Sequence, residues 1–347
     1  MIPALADLTT LRLGGPPARY VEAADEAAII AAVRAAGEPL LVLAGGSNLV
    51  VADSGFPGTV VHVTSRGVRF DGDALEVAAG EPWDPLVARC VEAGLAGFEC
   101  LSGIPGSIGA TPIQNVGAYG QEVAEAIVSV RAYDRELDAV LEVSADECGF
   151  SYRSSAFKRT PGRWVVLSVA YRLERRPDSM PIRYAELARA LGVEEGERAP
   201  LADVRAAVLA LRRRKGMVLD PGDPDTVSAG SFFTNPVLDA AAFAELEERA
   251  GAMPPRFAQA DGRVKTSAAW LIERAGFARG YGDPATIAIS GKHTLALTNR
   301  GAGTAEQLVA LAREISLGVR ERFGIELVPE PVFAGLEWRG GVPQPSR

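Results

Sequence analysis

The 347-residue chain has only two histidines, His62 and His293, and three cysteines, Cys90, Cys100 and Cys148. So few histidines, neither beside an obvious carboxylate–nucleophile pair, argue against a Ser-His-Asp hydrolase and against a His-ligated metal site. Three cysteines without C-x-x-C spacing give neither a disulfide framework nor a zinc site, and fit a reducing compartment. No apolar run approaches the ~20 residues that span a bilayer. Met1 to Leu8 lacks the basic start and apolar stretch of a signal peptide. A net positive charge is missing too. The formal charge of -8 argues against a nucleic-acid partner, which needs a strong basic field. The expectation is a cytoplasmic protein without metal, nucleic acid or membrane insertion.

The familiar nucleotide loops are also missing. There is no G-x-x-x-x-G-K-[ST] segment, and no strict G-x-G-x-x-G follows a strand. An enzyme without histidine chemistry, metal ligands or a reactive cysteine pair commonly leaves the hard step to an organic cofactor.

What is present is ordinary globular material: 48% hydrophobic and 23% charged residues, in a chain long enough for two or three domains. Apolar spacing predicts helices over 25–36, with Gly37 as a stop, and over 84–95, with Pro85 in the first turn. Strands are predicted at 40–43, 60–63, 75–79, 127–133, 139–143 and 164–173. A helix over 201–215 ends in Arg212-Arg213-Arg214-Lys215, cations where the helix dipole is negative. Asp220-Pro221-Gly222-Asp223-Pro224 reads as a linker. Beyond it, helices are predicted at 240–250, 266–275 and 304–323, with strands at 285–290 and 295–298. The tail after Gly335 is expected to be poorly ordered.

Two glycine-rich segments stand out. Ala44-Gly45-Gly46-Ser47-Asn48 follows a strand, and its small residues let backbone N–H groups approach an anion, although an ordinary turn would look the same. The segment from Gly103 to Gly120 includes Ile104, Pro105, Gly106, Ser107, Gly109, Ala110 and Gly117. With five glycines in the stretches 103–110 and 112–120 and the amides Gln114 and Asn115, it could wrap a large flat cofactor. Ser231, in Gly230-Ser231-Phe232-Phe233-Thr234-Asn235-Pro236, could be a proton donor in a desolvated pocket or simply a strand start. Arg153, in Ser151-Tyr152-Arg153-Ser154-Ser155, and Glu330, between Pro329 and Pro331, read alone as a surface arginine and a solvated carboxylate. His62, in a Val-His-Val strand, reads as structural.

Taken in order, AGGSNLV (44–50), GIPGSIGATPIQNVGAYG (103–120), SYRSSAFK (151–158), GSFFTNP (230–236), AWLIERAG (269–276) and VPEP (328–331) resemble the UDP-N-acetylenolpyruvoylglucosamine reductases. The GAYG segment resembles the subtype with an extra tyrosine loop. The resemblance implies an α+β protein: a two-domain FAD-binding half of the vanillyl-alcohol-oxidase type, 1–66 (joined by 328–347) and 67–219, plus a C-terminal α+β substrate domain, 220–327. It implies bound FAD, NADPH as co-substrate and a UDP-sugar substrate.

By the same resemblance, Arg153 and Glu330 stabilise developing charge on the substrate, and Ser231 supplies a proton. Gly45, Gly46, Ser47, Asn48, Ile104, Pro105, Gly106, Ser107, Gly109, Ala110, Gly117 and Arg153 hold the cofactor. Lys215 and Asn235 match groups near the substrate's diphosphate, Tyr184 the tyrosine-loop residue, and Tyr119 and His293 further polar contacts. Thr234 and His293 depart from the family pattern, standing where a lysine and a glutamine are found. Two other functions remain open: an FAD oxidase on the same fold, and a non-catalytic UDP-sugar-binding protein.

Overall fold

Local signals start the first helix. The Asp25 side chain accepts a hydrogen bond from the Ala28 N–H (2.8 Å), capping Glu26–Arg34 and burying Ile29 and Val33 on one face. The helix closes at Ala35, two residues before the expected stop at Gly37. It shares a core with a three-stranded parallel sheet, in which Phe56–Val63 lies between Pro17–Ala23 and Leu40–Leu43. This computed structural model describes residues 2–259 and 261–338.

A five-stranded antiparallel sheet follows, in the spatial order Ala139–Ser144, Ile127–Asp134, Trp164–Arg172, Ala74–Ala78, Val68–Asp71. The helix Trp83–Glu92 buries Trp83, Leu86, Val87 and Cys90 in the core that serves both sheets. It does not continue to Leu95 as expected. Gly94 adopts φ +68°, which turns the chain, and Leu95–Ala96 becomes a short strand paired with Glu174–Arg175. His62, on the central parallel strand, places Nδ1 2.7 Å from the Tyr20 hydroxyl.

The C-terminal core gathers Ala240–Ala250, Ala268–Arg274 and Ala305–Phe323 around the hairpin Ile287–Ile289/Leu297–Asn299. Thr304 and Gln307 cap the long helix reciprocally, and Leu308, Ala312, Ile315, Val319 and Phe323 form its buried stripe. Val332–Ala334 then pairs in parallel with Leu49–Val51, directly after the first glycine loop. Residues 336–338 are packed: Trp338 stacks on Phe333 at 5.9 Å between ring centroids, so order extends past Gly335. Residues 339–347 of the expected loose tail lie outside the described residues.

The stretch 220–224 is fastened at several points. Asp223 caps the turn Pro224–Thr226, and Thr226 Oγ1 donates to the Asp220 carbonyl (3.0 Å). Among the described residues, no helix is long and apolar enough to cross a membrane.

Candidate active site

The two glycine-rich loops meet backbone to backbone. A Cβ on Gly45 would lie 2.5 Å from Gly106 Cα, and the Gly45 N–H donates to Ser107 Oγ at 3.3 Å. Gly109 packs as closely on Ala79, where a Cβ would meet the alanine methyl at 2.7 Å. Backbone this close needs glycine. Beside these loops lies a cavity of about 560 Å³, within the usual range for ligand sites. The catalytic, cofactor and substrate candidates that the resemblance names all line it, from Gly45 to Glu330, whereas Gly103, Asn115 and Thr234 stand outside its lining.

Arg153 is held by the long loop. Its Nη1 and Nη2 donate to the carbonyls of Asn115 (3.2 Å) and Gly117 (2.7 Å), and its Nε lies 3.3 Å from Glu330 Oε1. Both side chains of this ion pair are largely buried, 20% and 17% exposed. Arg153 adopts φ +52° and Tyr119 φ +50°, conformations that cost a non-glycine residue energy and cluster at functional positions. Glu330 Oε1 also accepts from Gln114 Nε2 (2.8 Å). Lys158 Nζ donates to Gln114 Oε1 (2.8 Å) and to the Arg153 carbonyl (3.0 Å). Burial pulls the Lys158 ammonium below its ordinary pKa, against the opposing pull of Glu330.

Ser231 reaches the cavity from the C-terminal unit. Its Oγ stands 3.5 Å from His293 Nε2. The neighbouring Phe232 N–H donates to the Leu295 carbonyl (2.7 Å), and the Phe232 carbonyl accepts from the Glu330 N–H (2.8 Å). These bonds fix serine, histidine and glutamate in one backbone frame.

Tyr119 and Tyr184 meet edge to face, 5.4 Å between centroids, with Lys215 Nζ 5.6 Å from the Tyr119 ring and 2.5 Å from Glu186 Oε2. Burial pushes the Tyr119 hydroxyl up to about 12, so it stays a neutral donor. Asn235 Oδ1 accepts from the Ala268 N–H (3.0 Å), at the start of the helix Ala268–Arg274.

Three cavity residues with cationic or phenolic side chains are not marked as site residues by the sequence. Lys158 is one. Tyr152 is the second, its ring flanked by Arg153 (5.4 Å) and Lys265 Nζ (4.4 Å). The third is Arg212, half-buried, whose Nη2 donates to the Met217 carbonyl (2.7 Å) and whose enclosed Nε has no partner among the described residues. The basic run 212–215 was the signal for Arg212, since helical spacing turns it inward beside Val208 and Leu211.

The residues suit FAD. The N–H groups of Gly46, Ser47 and Asn48 have no acceptor among the described residues and could receive a diphosphate. Leu43, Val63, Ile104, Val116 and Val165 supply apolar wall for a flat ring system. The chemistry of this donor set, backbone amides and aliphatic surface, fits a flavin nucleotide.

The UDP-N-acetylenolpyruvoylglucosamine reductase of Streptomyces coelicolor is 59% identical over 343 residues, 96% of this chain and 89% of its own length. This chain belongs to the UDP-N-acetylenolpyruvoylglucosamine reductase family. The enzyme of that name from Thermobifida fusca is 58% identical over 346 residues, 96% of this chain and 97% of its own. Residues 223–334 match the family's C-terminal domain, and residues 17–140 match an FAD-binding domain. The crystal structure of UDP-N-acetylenolpyruvylglucosamine reductase from Thermus caldophilus superposes with a TM-score of 0.67 at 26% identity, covering 96% of this chain and 98% of that one. The expected α+β fold, with an FAD-binding half and a family C-terminal domain, is therefore borne out. The chain is a flavin-dependent oxidoreductase.

Proposed function

We propose that this chain reduces the enolpyruvyl ether of UDP-N-acetylglucosamine to the lactyl ether of UDP-N-acetylmuramate, using NADPH, in the cytoplasmic supply of peptidoglycan precursors. The observation that carries this reading is one cavity lined by the glycine loops, the Arg153–Glu330 pair at 3.3 Å and Ser231. FAD, held by the glycine loops at 45–48 and 104–110, would supply the hydride chemistry, with NADPH as the source of the electrons.

The protein's own work is electrostatic and protic. Hydride addition at the terminal alkene carbon leaves negative charge at the neighbouring carbon and on the attached carboxylate. Arg153, pinned by two backbone carbonyls, meets that charge without reorganising. Glu330, held by Gln114 and Arg153, sits beside the same group and fixes the orientation of the arginine. Ser231 delivers the proton: its O–H bond breaks as the new C–H bond forms. A positioned proton donor of this kind typically contributes ~10²–10⁴-fold in rate.

Lys215 and Asn235 hold the UDP diphosphate, Tyr184 is the residue of the subtype's tyrosine loop, and Tyr119, packed edge to face against it, is a further substrate contact. Residues 1–66 with 328–347, and 67–219, act as the FAD half, and 220–327 as the substrate domain. The test follows the flavin band near 450 nm in stopped flow. NADPH should bleach it and the enolpyruvyl substrate should restore it. Ser231→Ala should keep the first step and slow the second by roughly 10² or more; equal slowing of both overturns the assignment. Turnover driven by oxygen without NADPH would mark an oxidase, and a colourless protein that takes up no FAD would mark a binding protein.

A further inference from the structure

Ser231 presents a chemical difficulty as a proton donor. A serine hydroxyl is a weak acid, and proton transfer to carbon leaves an alkoxide in a partly buried site, where uncompensated charge is costly. Among the described residues, one side chain stands within hydrogen-bond range of that oxygen. His293 Nε2 lies 3.5 Å from Ser231 Oγ, at the outer edge of hydrogen-bond range. Catalytic contacts are often this long before substrate binds.

The approach is built from backbone. His293 sits in the tight connection of the hairpin Ile287–Ile289/Leu297–Asn299, its N–H donating to the buried Ser290 Oγ (3.2 Å) and its carbonyl accepting from the Ala296 N–H (3.0 Å). The same turn accepts the Phe232 N–H at Leu295 (2.7 Å), which sets the serine strand against the histidine loop. A second fastening holds the loop from behind. Asp225 accepts from the Gly291 N–H (2.8 Å) and pairs with Arg300 (2.9 Å), and Lys292 pairs with Asp223. The segment 220–226 thus clamps the loop that carries His293.

We propose that His293 is the positioning residue of Ser231, donating its Nε2–H to Oγ. With that lone pair engaged, the serine hydrogen is free to face the cavity. Once the proton has gone to carbon, the same N–H stabilises the alkoxide until a water molecule returns a proton. The imidazole stays neutral throughout: burial, with Lys215, Arg212 and Arg279 nearby, outweighs the pull of Glu186 and lowers its pKa to about 4. A neutral ring has one N–H, and its place on Nε2 is what the proposal requires.

The proposal rests on Ser231 as proton donor, and the experiment separates the two. Single-turnover reoxidation of NADPH-reduced enzyme is measured at saturating enolpyruvyl substrate, in H₂O and D₂O, for Ser231→Ala, His293→Leu, His293→Gln and Ser231→Ala/His293→Leu. Flavin content and reduction by NADPH are recorded for each variant. His293→Leu is expected to slow reoxidation roughly tenfold, about one hydrogen bond, with a larger solvent isotope effect and unchanged reduction. His293→Gln, which keeps an N–H donor, should recover most of the rate. In the Ser231→Ala background, His293→Leu should cost nothing further. Normal reoxidation in Ser231→Ala defeats the proton-donor reading itself. Slow Ser231→Ala with normal or faster His293→Leu defeats only the role of His293. Lost flavin, or equal slowing of both half-reactions in His293→Leu, would make the histidine merely structural and also overturn the proposal.

Discussion

Gly45→Ala tests whether the cofactor cradle depends on the contact between the two glycine loops. The added Cβ would sit 2.5 Å from Gly106 Cα, 2.7 Å from its carbonyl carbon and 2.9 Å from the Ser107 nitrogen. Carbon atoms in ordinary contact lie about 3.5–4.0 Å apart, so the loops must part by roughly 1 Å. All three obstacles are backbone, which cannot rotate away as a side-chain tip would. Gly45 does not occupy the left-handed region, so alanine brings a steric cost without φ strain.

Parting the loops weakens the Gly45 N–H to Ser107 bond and displaces the free N–H groups of residues 46–48. Overpacking of this kind costs about 1–3 kcal/mol. If the flavin nucleotide needs the loops at their present spacing, the cost appears as roughly 5- to 150-fold weaker FAD binding. The assay is titration of apoprotein with FAD by flavin fluorescence, alongside Gly37→Ala, whose Cβ would meet nothing within 4 Å. FAD affinity within twofold of the unaltered chain in Gly45→Ala would refute the cradle argument. So would an equal loss in Gly37→Ala.

Three further outcomes are expected. Glu330→Gln removes a charge while its neighbours keep their own anchors, since Arg153 retains two carbonyl bonds; flavin content should hold while reoxidation by substrate falls roughly 10²-fold. Asp225→Ala leaves Arg300, already without a partner for its Nε among the described residues, as a buried unpaired cation; chemical denaturation should show a loss of about 3–5 kcal/mol. The folded pKa of His293 lies near 4, below the ordinary 6.5, so the unfolded chain takes up the proton first as pH falls. Its stabilising effect is intact at pH 7 and is lost between pH 6.5 and 4. At pH 4.5 the unaltered chain should have lost up to about 2.5 kcal/mol more than His293→Gln, water at the cavity making this an upper bound.

Much of the fold was legible because its signals are local. Asp25 and Thr304 cap their helices through their own side chains, and the buried stripe of 305–323 repeats at helical spacing. Helix 84–95 was overdrawn because Gly94 reads as a tolerated glycine until the chain is seen to turn there. The site was legible where motif residues line it, and illegible where tertiary packing changes a residue's meaning. Lys158 stands within a single helical turn, Ala156–Arg159, and looks like surface; only the long loop, bringing Gln114 to 2.8 Å, covers it. Of the two cations against the Tyr152 ring, Lys265 comes from more than a hundred residues away. Phe233 sits in a short apolar run, yet it bridges to Pro329 across nearly the same sequence separation.

That bridge explains how a site assembled from four distant segments can hold ångström-scale geometry. From the first glycine loop the chain enters Leu49–Val51, which pairs with Val332–Ala334; two residues earlier stands Glu330. Its N–H bonds to the Phe232 carbonyl, while the Thr234 N–H bonds to the Val328 carbonyl (3.0 Å), locking the register of Ser231 against the carboxylate. The Phe232 N–H then reaches Leu295, beside His293. Cofactor loop, carboxylate, serine and histidine are thus successive stations on one relay of main-chain hydrogen bonds. Side-chain substitutions leave such a relay intact, so Ser231, Glu330 and His293 variants should report chemistry and not collapse of the site. Replacing Val332 by proline would remove the N–H that donates to the Asn48 carbonyl (3.0 Å), and should lower both flavin affinity and the serine-dependent step. Loss of only one of the two would show that the stations are independent.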